Sequence, residues 1–359
     1  MRIAQIIDSL EAGGAERMAV NYANALSSRI TFSGLIATRK EGILKNQIDQ
    51  KVSYLFLKKS KTIDFSAILR LRKYIKKNKI DILHAHSSSF FIAVLVKLTL
   101  PKIKIIWHDH YGTRIKETKK ENKVLIFLSG FFSSIFVVNP QLEEWSKKNM
   151  KCSKVTFIPN FTSSQNETKA VTNLKGTAGK RIVFVANLKK PKNHLLIIKA
   201  FSDLKLNELG WSLHLIGKDY FDSYSDAIKH FIKSHSLDNH IHLYGAKNDI
   251  KYIISQSTIG ILASTEEGFP VTLLEYALGN LAVVSTNVGY CSSVICNDYN
   301  GLLFDPFSDS DVRTQLLKLV NSELLIKQFG DNFKESVLEK YSEEIVLNKL
   351  ILAYKENIE

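Results

Sequence analysis

The chain has 359 residues, 45% hydrophobic and 23% charged, a composition that excludes a disordered polymer and a length beyond what one core ordinarily holds, so two domains are expected. Its three cysteines, Cys152, Cys291 and Cys296, are odd in number and scattered, which excludes a disulfide framework and a CxxC metal knuckle and points to a reducing, cytoplasmic setting. The net charge of +14 lies entirely in the first half, where residues 1–170 hold 29 Lys/Arg against 13 Asp/Glu while residues 171–359 hold 20 against 22; that half is expected to attract a polyanion, whether phospholipid headgroups, a diphosphate-linked acceptor or nucleic acid.

Met1 leads straight into a strand-like run, Arg2–Ile7, so no secretory leader is expected. Further strands are expected at Ile30–Ala37, Ile80–His84, Lys102–Trp107, Ser134–Val138 and Lys154–Ile158, with amphipathic helices at Glu16–Ser27, Phe65–Lys77 and Phe90–Leu98 between them. Such alternation implies a parallel sheet wrapped by helices. The longest apolar stretch, Val124–Val138, is interrupted by Ser129, Gly130, Ser133 and Ser134. It is too short to span a bilayer and reads as a buried helix followed by a strand.

The run from Thr162 to Lys180 is small and polar and reads as a linker. The alternation then restarts. Strands are expected at Arg181–Ala186, Trp211–Ile216, Ile241–Tyr244, Ile259–Ala263 and Ala282–Ser285, and helices at His194–Leu204 and about Pro270–Leu278. The last strong helical pattern, Glu343–Lys355, either closes the far end or crosses back onto the first domain. Two such sheets facing each other leave a cleft at the carboxyl ends of their strands, where open α/β folds bind ligands.

The most informative segment is Ile261-Leu-Ala-Ser-Thr-Glu-Glu-Gly-Phe-Pro-Val-Thr-Leu-Leu-Glu275. A strand ends near Ala263, a loop carries Glu266, Glu267 and Gly268, and Pro270 suits the first helical position. The N–H groups of Val271, Thr272 and Leu273 are then expected to be free at the positive end of the helix dipole, a ready diphosphate site. Glu275, about one and a half turns in, is within reach of a ribose hydroxyl pair, and Glu267 is placed to face a reacting sugar. The plainer reading is that these acids only decorate a helix start, where acids are favoured anyway.

Glu267-Gly-Phe-Pro-Val-Thr-Leu-Leu-Glu275 resembles the E-x7-E signature of retaining, family-four glycosyltransferases of the GT-B fold. Other segments agree in order: Gly13-Gly14-Ala15-Glu16, Val185-Ala-Asn-Leu-Lys-Lys-Pro-Lys-Asn-His194, Leu215-Ile-Gly217, Leu243-Tyr-Gly245 and Asn300-Gly-Leu-Leu-Phe. The resemblance spans Ile3 to about Pro306. It implies an α/β fold of two Rossmann-like domains facing each other across a cleft. Residues 1–165 would form the acceptor-binding domain, 166–179 a linker, 180–340 the nucleotide-sugar-binding domain, and 341–359 the C-terminal helix.

The resemblance also implies roles. Glu267 matches the acid beside the donor sugar, Glu275 the acid that binds the ribose, and Lys192 the lysine that neutralises the diphosphate. Gly268, Phe269, Pro270, Val271, Thr272, Leu273 and Leu274 match the backbone that cradles sugar and phosphate, and Gly14 matches the loop that lets phosphates approach the first domain. His110 matches a cleft histidine close to the transferring sugar, with His86 and Asp109 as acceptor-side candidates. Asn187 stands where many members have arginine, with Lys189 or Lys190 as substitutes for that cation, and Ser293 stands where an acid often follows the last strand. Transfer passes through an oxocarbenium-like state with a diphosphate leaving group, which Lys192 and the helix N-terminus can stabilise without a metal.

Three of four further features have two readings each. Asp309-Ser-Asp311 has the spacing of a metal-binding D-x-D, but it also opens a helix, where Asp is a normal cap. His84-Ala-His86 and His108-Asp-His110 place imidazoles on one face of extended segments; they are buried and hydrogen-bonded, or they face a ligand, and no acid or thiol completes a metal set. Gly13-Gly14 is a phosphate turn without a dinucleotide fingerprint. Arg70, Arg72, Lys73, Lys76, Lys77 and Lys79 load one helix opposite Phe65, Ile68, Leu69 and Ile75, as a solvated face or a membrane-surface face; Lys116, Lys119, Lys120 and Lys123 add charge nearby.

The expectation is therefore a cytoplasmic transferase, associated peripherally with the inner face of a bacterial membrane. It takes a nucleotide-sugar donor and a lipid-linked or glycan acceptor in capsule or O-antigen synthesis. It meets an anionic membrane surface, needs neither cofactor nor metal, and does not bind nucleic acid, for which no recognition motif is present. The alternatives are a sugar-nucleotide epimerase or hydrolase on the same scaffold, or a non-enzymatic polyanion-binding protein.

Overall fold

A computed structural model describes residues 1–161 and 170–358. The chain forms two compact units, Met1–Asn166 with Glu343–Glu359, and Glu167–Ser342. In the first unit seven parallel strands, β1 (Arg2–Ser9), β2 (Phe32–Lys40), β3 (Ser53–Phe56), β4 (Ile82–His86), β5 (Lys104–Asp109), β6 (Ser134–Val137) and β7 (Val155–Phe157), lie in the order β3-β2-β1-β4-β5-β6-β7. Ile3, Ala4, Ile6 and Ile7 of β1 are all buried, the near-continuous apolar run of a strand covered on both faces. The Gly14–Leu26 helix buries Met18, Ala19, Tyr22, Ala23 and Leu26 on one stripe. Asn139 caps the Pro140–Asn149 helix by accepting the Leu142 amide, with Pro140 in its first turn.

The closing helix, Glu343–Ile358, buries Val346, Leu347, Leu350, Ala353 and Tyr354 within this first unit. Its Tyr354 hydroxyl lies 2.6 Å from His84 Nδ1.

In the second unit six parallel strands, β8 (Arg181–Val185), β9 (Ser212–Ile216), β10 (Ile241–Leu243), β11 (Ile259–Leu262), β12 (Ala282–Thr286) and β13 (Leu302–Phe304), run in the order β10-β9-β8-β11-β12-β13. Ile182, Phe184, Leu213, Leu215, Ile261 and Val284 join Ile197, Phe201, Leu316 and Phe329 from the flanking helices in one core.

Several expectations need correction. β3 and β13 are strands of four and three residues where no strand was expected, too short for alternation to register. The Glu323–Tyr341 helix, capped by Ser322, was not expected. The Lys123–Leu128 helix is not buried: Val124 is 50% and Phe127 63% exposed, and the Lys151 ammonium sits 4.6 Å above the Phe127 ring. In the Phe65–Lys77 helix, Ala67, Ile68, Leu71 and Ile75 face inward, whereas Phe65 (76% exposed) and Leu69 (64%) point outward beside the exposed lysines.

Of the expected linker, 166–169 lies outside the described residues. The following stretch is a strap on the second unit. The Val171 and Thr172 amides donate to Asp249 Oδ2 at 2.9 and 2.6 Å, the Thr172 hydroxyl to Asp249 Oδ1 at 3.0 Å, and the Leu174 amide to Gln256 Oε1. Asp249→Ala removes the acceptor of three of these bonds and is expected to destabilise the second unit by about 2–4 kcal/mol. The readout is a lower urea midpoint at unchanged slope; an unmoved midpoint would mean that the strap contributes nothing.

Candidate active site

In the second unit the chain leaves β8 in both directions, to β9 on one side and β11 on the other. Such a switch point opens a crevice at the carboxyl ends of the two parting strands. The loop after β8 carries Lys192 and the loop after β11 carries Glu267. The two meet there, Lys192 Nζ to Glu267 Oε1 at 2.5 Å, with both side chains mostly shielded. The Thr265 amide, donating to the Pro191 carbonyl at 2.9 Å, ties the loops together.

The β8–β11 ladder stops after Gly260↔Val183. Beyond it the fully buried Tyr276 hydroxyl takes over, accepting from the Val185 amide at 2.8 Å and donating to the Ile261 carbonyl at 3.2 Å. Burial raises its pKa, so it stays a neutral donor. Gly260 is required beneath it, because a Cβ there would sit 2.5 Å from the Tyr276 ring. Gly289, in the left-handed region at φ +58°, packs so closely under Glu267 that a Cβ would fall 1.9 Å from its carbonyl oxygen. Neither Tyr276 nor Gly289 stands out in the sequence.

The helix after the Glu267 loop spans Val271–Leu278, with Pro270 as its cap residue rather than its first turn. Pro270, at φ −82° and ψ 81°, centres an inverse γ-turn in which the Val271 amide donates to the Phe269 carbonyl at 3.0 Å. The Leu273 amide donates to the Pro270 carbonyl at 3.0 Å. Two of the three amides expected to be free are therefore engaged. Thr272 and Glu275, three residues apart, share the partly open side of the helix, while Val271, Leu273, Leu274, Tyr276 and Ala277 are buried. Phe269 is buried too, stacked on Tyr290 at 5.1 Å, so only its backbone is placed to line the crevice. Gly268 and Glu266 stand partly exposed on the loop.

Asn187 does not act as a substitute for a cation. Its side-chain oxygen accepts the Lys218 amide at 2.9 Å and fastens the β8 loop to the end of β9. Lys218 and Lys189 lie over the Tyr220 ring at 5.0 and 6.0 Å, supplying positive charge in that loop. Asp309 and Asp311 occupy the first turn of the Asp309–Val320 helix behind the cap Ser308, and Asp311 accepts the Asp305 amide at 2.7 Å.

In the first unit Gly14 is the first residue of its helix, and a Cβ there would meet nothing within 4 Å. The Glu16 carboxylate lies against Gly13. His84, His86 and His108 are fully buried on one face of the sheet, under the Tyr22 ring. His110 is half-buried at the end of this face, 2.9 Å from His86. His86 spends both nitrogens inside the protein, on Gln5 and on His110, so it is not an acceptor contact. Asp109 is likewise withdrawn: it is fully buried, ion-paired with Arg114 and bonded to the Tyr111 amide. Its pKa is raised by burial against the opposing pull of Arg114. The ligand atoms of His84, His86 and His108 lie within 4.8 Å of one another, but His84 Nε2 and His108 Nδ1 share a hydrogen bond at 3.2 Å and are not two free lone pairs.

Two all-parallel Rossmann-like units, the second with a cation–acid pair at its switch point, fit the GT-B fold. The family described as Glycosyltransferase Family 4 matches residues 12–165, and that described as Glycosyl transferases group 1 matches residues 165–336. The chain belongs to these glycosyltransferases. It is 23% identical over 326 residues to UDP-Gal:alpha-D-GlcNAc-diphosphoundecaprenol alpha-1,3-galactosyltransferase of Escherichia coli, covering 85% of this chain and 84% of that one. It is 22% identical to the O-antigen biosynthesis glycosyltransferase WbnH of Escherichia coli, over 98% and 97% of the two chains. The crystal structure of Anabaena HepE in complex with UDP-glucose superposes with a TM-score of 0.80 at 14% identity, over 99% and 100%. The epimerase, hydrolase and polyanion-binding alternatives find no support among them.

Tyr276→Phe leaves the Val185 amide without its acceptor and is expected to cost about 1–3 kcal/mol in urea unfolding while weakening donor affinity; equal stability and affinity would show that the wedge is dispensable. A second expectation concerns pH. Burial first, and then the neighbouring imidazoles, hold His84, His86 and His108 well below their ordinary pKa. The unfolded chain binds protons at these residues near pH 6.5 and the native one does not. Stability is then flat above about pH 7 and falls as pH drops below 6.5, by up to ~1.4 kcal/mol per pH unit for each histidine. Urea unfolding at pH 7.5, 6.0 and 5.0 reads the slope.

Proposed function

We propose that this glycosyltransferase is retaining and metal-independent, and that it moves a sugar from a nucleotide-sugar donor to a lipid-linked glycan acceptor at the cytoplasmic face of the membrane. The observation that carries the donor reading is the Lys192–Glu267 pair at the switch point. A diphosphate entering the crevice replaces Glu267 as the partner of the ammonium. Lys192 then neutralises the charge that builds on the leaving group as the glycosidic bond breaks. Glu267, released, faces the sugar, and Glu275 on the following helix binds the ribose hydroxyls.

The acceptor reading rests on the relative that acts on a GlcNAc-diphosphoundecaprenol and on the basic first half. None of the described helices is long and apolar enough to cross a membrane. Phe65 and Leu69 stand outward one turn apart with Lys73, Lys76 and Lys77 on the same helix, and Leu98 is exposed on the next. Apolar side chains flanked by cations suit the surface of an anionic bilayer.

Lys192→Ala and Glu267→Ala are each expected to lower kcat by about 10²–10³ with a UDP-sugar and a lipid diphosphate acceptor, to leave the fold intact, and to be matched by no loss when EDTA is added to the wild type. The anomeric configuration of the product, read by NMR, should equal that of the donor. Full activity in both variants, loss on chelation or an inverted product would each overturn the corresponding part of the reading.

A further inference from the structure

The buried face of the first sheet holds a connected set of hydrogen bonds that the transfer reaction leaves unexplained. Gln5, fully buried on β1, sits at its centre. Its Oε1 is 2.8 Å from His86 Nε2, and its Nε2 is 3.3 Å from the Tyr354 hydroxyl of the closing helix. From the amide oxygen one arm runs through His86 Nδ1 to His110 Nε2 at 2.9 Å. From the amide nitrogen the other arm runs through Tyr354 to His84 Nδ1 at 2.6 Å and on from His84 Nε2 to His108 Nδ1 at 3.2 Å. Among the described residues, each arm ends on a buried atom without a partner, His110 Nδ1 in the first and His108 Nε2 in the second.

A neutral imidazole has one donor and one acceptor, so the proton positions along each arm are not independent. An amide oxygen only accepts, so His86 carries its proton on Nε2. Its Nδ1 is then an acceptor, His110 donates from Nε2, and His110 Nδ1 is a bare lone pair. Along the other arm the amide nitrogen donates to Tyr354, Tyr354 donates to His84 Nδ1, and His84 donates from Nε2 to His108 Nδ1. The reverse amide orientation would invert every proton in both arms, so the two arms act as one unit. The distances choose between the orientations. The shortest contact, at 2.6 Å, suits a phenol O–H donating, whereas the longest, at 3.3 Å, falls to the weak bond from the amide N–H₂. All four rings are neutral in neutral solution, because burial lowers the pKa of each, that of His110 to about 3.

We propose that Gln5, acting through His86 and oriented by Tyr354, holds His110 as the Nε2–H tautomer, so that its Nδ1 is a neutral acceptor. Gln5 is in this sense a positioning residue. The inference rests on the first unit alone for the tautomer and on the glycosyltransferase reading for its effect on turnover. His110 accordingly serves as a hydrogen-bond acceptor at working pH and not as an imidazolium acid.

The test is nitrogen-15 NMR of the full chain labelled at histidine, without substrate, with the His110 signals identified by their loss in His110→Asn. The expected result is a single Nε2–H tautomer for His110 between pH 8 and pH 6. An Nδ1–H form or an even mixture overturns the proposal, and the wild type alone decides this. Gln5→Met and Tyr354→Phe should each mix the His110 tautomers, whereas Tyr22→Phe should not, since Tyr22 packs on the same rings but lies outside both arms. Equal mixing in all three variants would mean general loosening and would overturn the assignment to Gln5, as would an unchanged spectrum in Gln5→Met. With substrates, Gln5→Met should lower kcat about 5-fold, the worth of one neutral hydrogen bond, with KM for the donor unchanged. Because the spectrum is read without turnover, a chain with ordered tautomers but no transferase activity would refute the function and leave the tautomer standing.

Discussion

A parallel sheet that extends in both directions from its first strand must part its connections somewhere, and in the second unit that parting supplies the chemistry. β8 and β11 stay hydrogen-bonded for only two residue pairs. Past that point their backbone groups would be left unpaired in a buried place, at a cost of about 1–3 kcal/mol each. Tyr276 meets this by inserting one hydroxyl between the strands, with Gly260 making room for its ring. The strands can then diverge without penalty, and their loops bring a lysine and a glutamate from positions 75 residues apart into one ion pair.

That pair has a second consequence. Lys192 and Glu267 are both largely withdrawn from water, and a partly buried charge without a partner is costly. Each therefore satisfies the other until an anion arrives. On the proposed reading, a diphosphate would bring more negative charge to Lys192 than the carboxylate does and would leave Glu267 beside the sugar, where a positive charge develops. The Pro270 turn is likewise self-satisfied: the Val271 and Leu273 amides donate locally, to the Phe269 and Pro270 carbonyls.

That Lys192 and Glu267 belong to one site was legible through the family resemblance of their two segments, whereas their direct ion pair was not expected. The engagement of the Val271 and Leu273 amides was not, since it follows from the ψ of Pro270, which no residue type dictates. Asp109 was misread for a similar reason. The residue that neutralises it, Arg114, lies five positions on in a short 3-10 turn, and nothing in the spacing marks the two as partners. Apolar periodicity identified the Phe65–Lys77 helix correctly but assigned Phe65 and Leu69 to the wrong side. A helix with apolar residues on two faces gives the same pattern whether the second face meets protein or lipid.

The positive charge of the first half and its buried histidines look at first like parts of one anion site, but their electrostatics separate them. Burial strips the imidazoles of charge, and they lie under the Tyr22 ring, held by hydrogen bonds that depend on their remaining neutral. The lysines that carry the excess charge stand instead on exposed helix faces, beside outward-facing Phe65 and Leu69. The positive charge of this unit therefore lies on its outer helix faces and not on its histidine face. That division keeps the histidine face uncharged and its proton positions fixed by hydrogen bonds, while the charge of the same unit stays on its exposed helices.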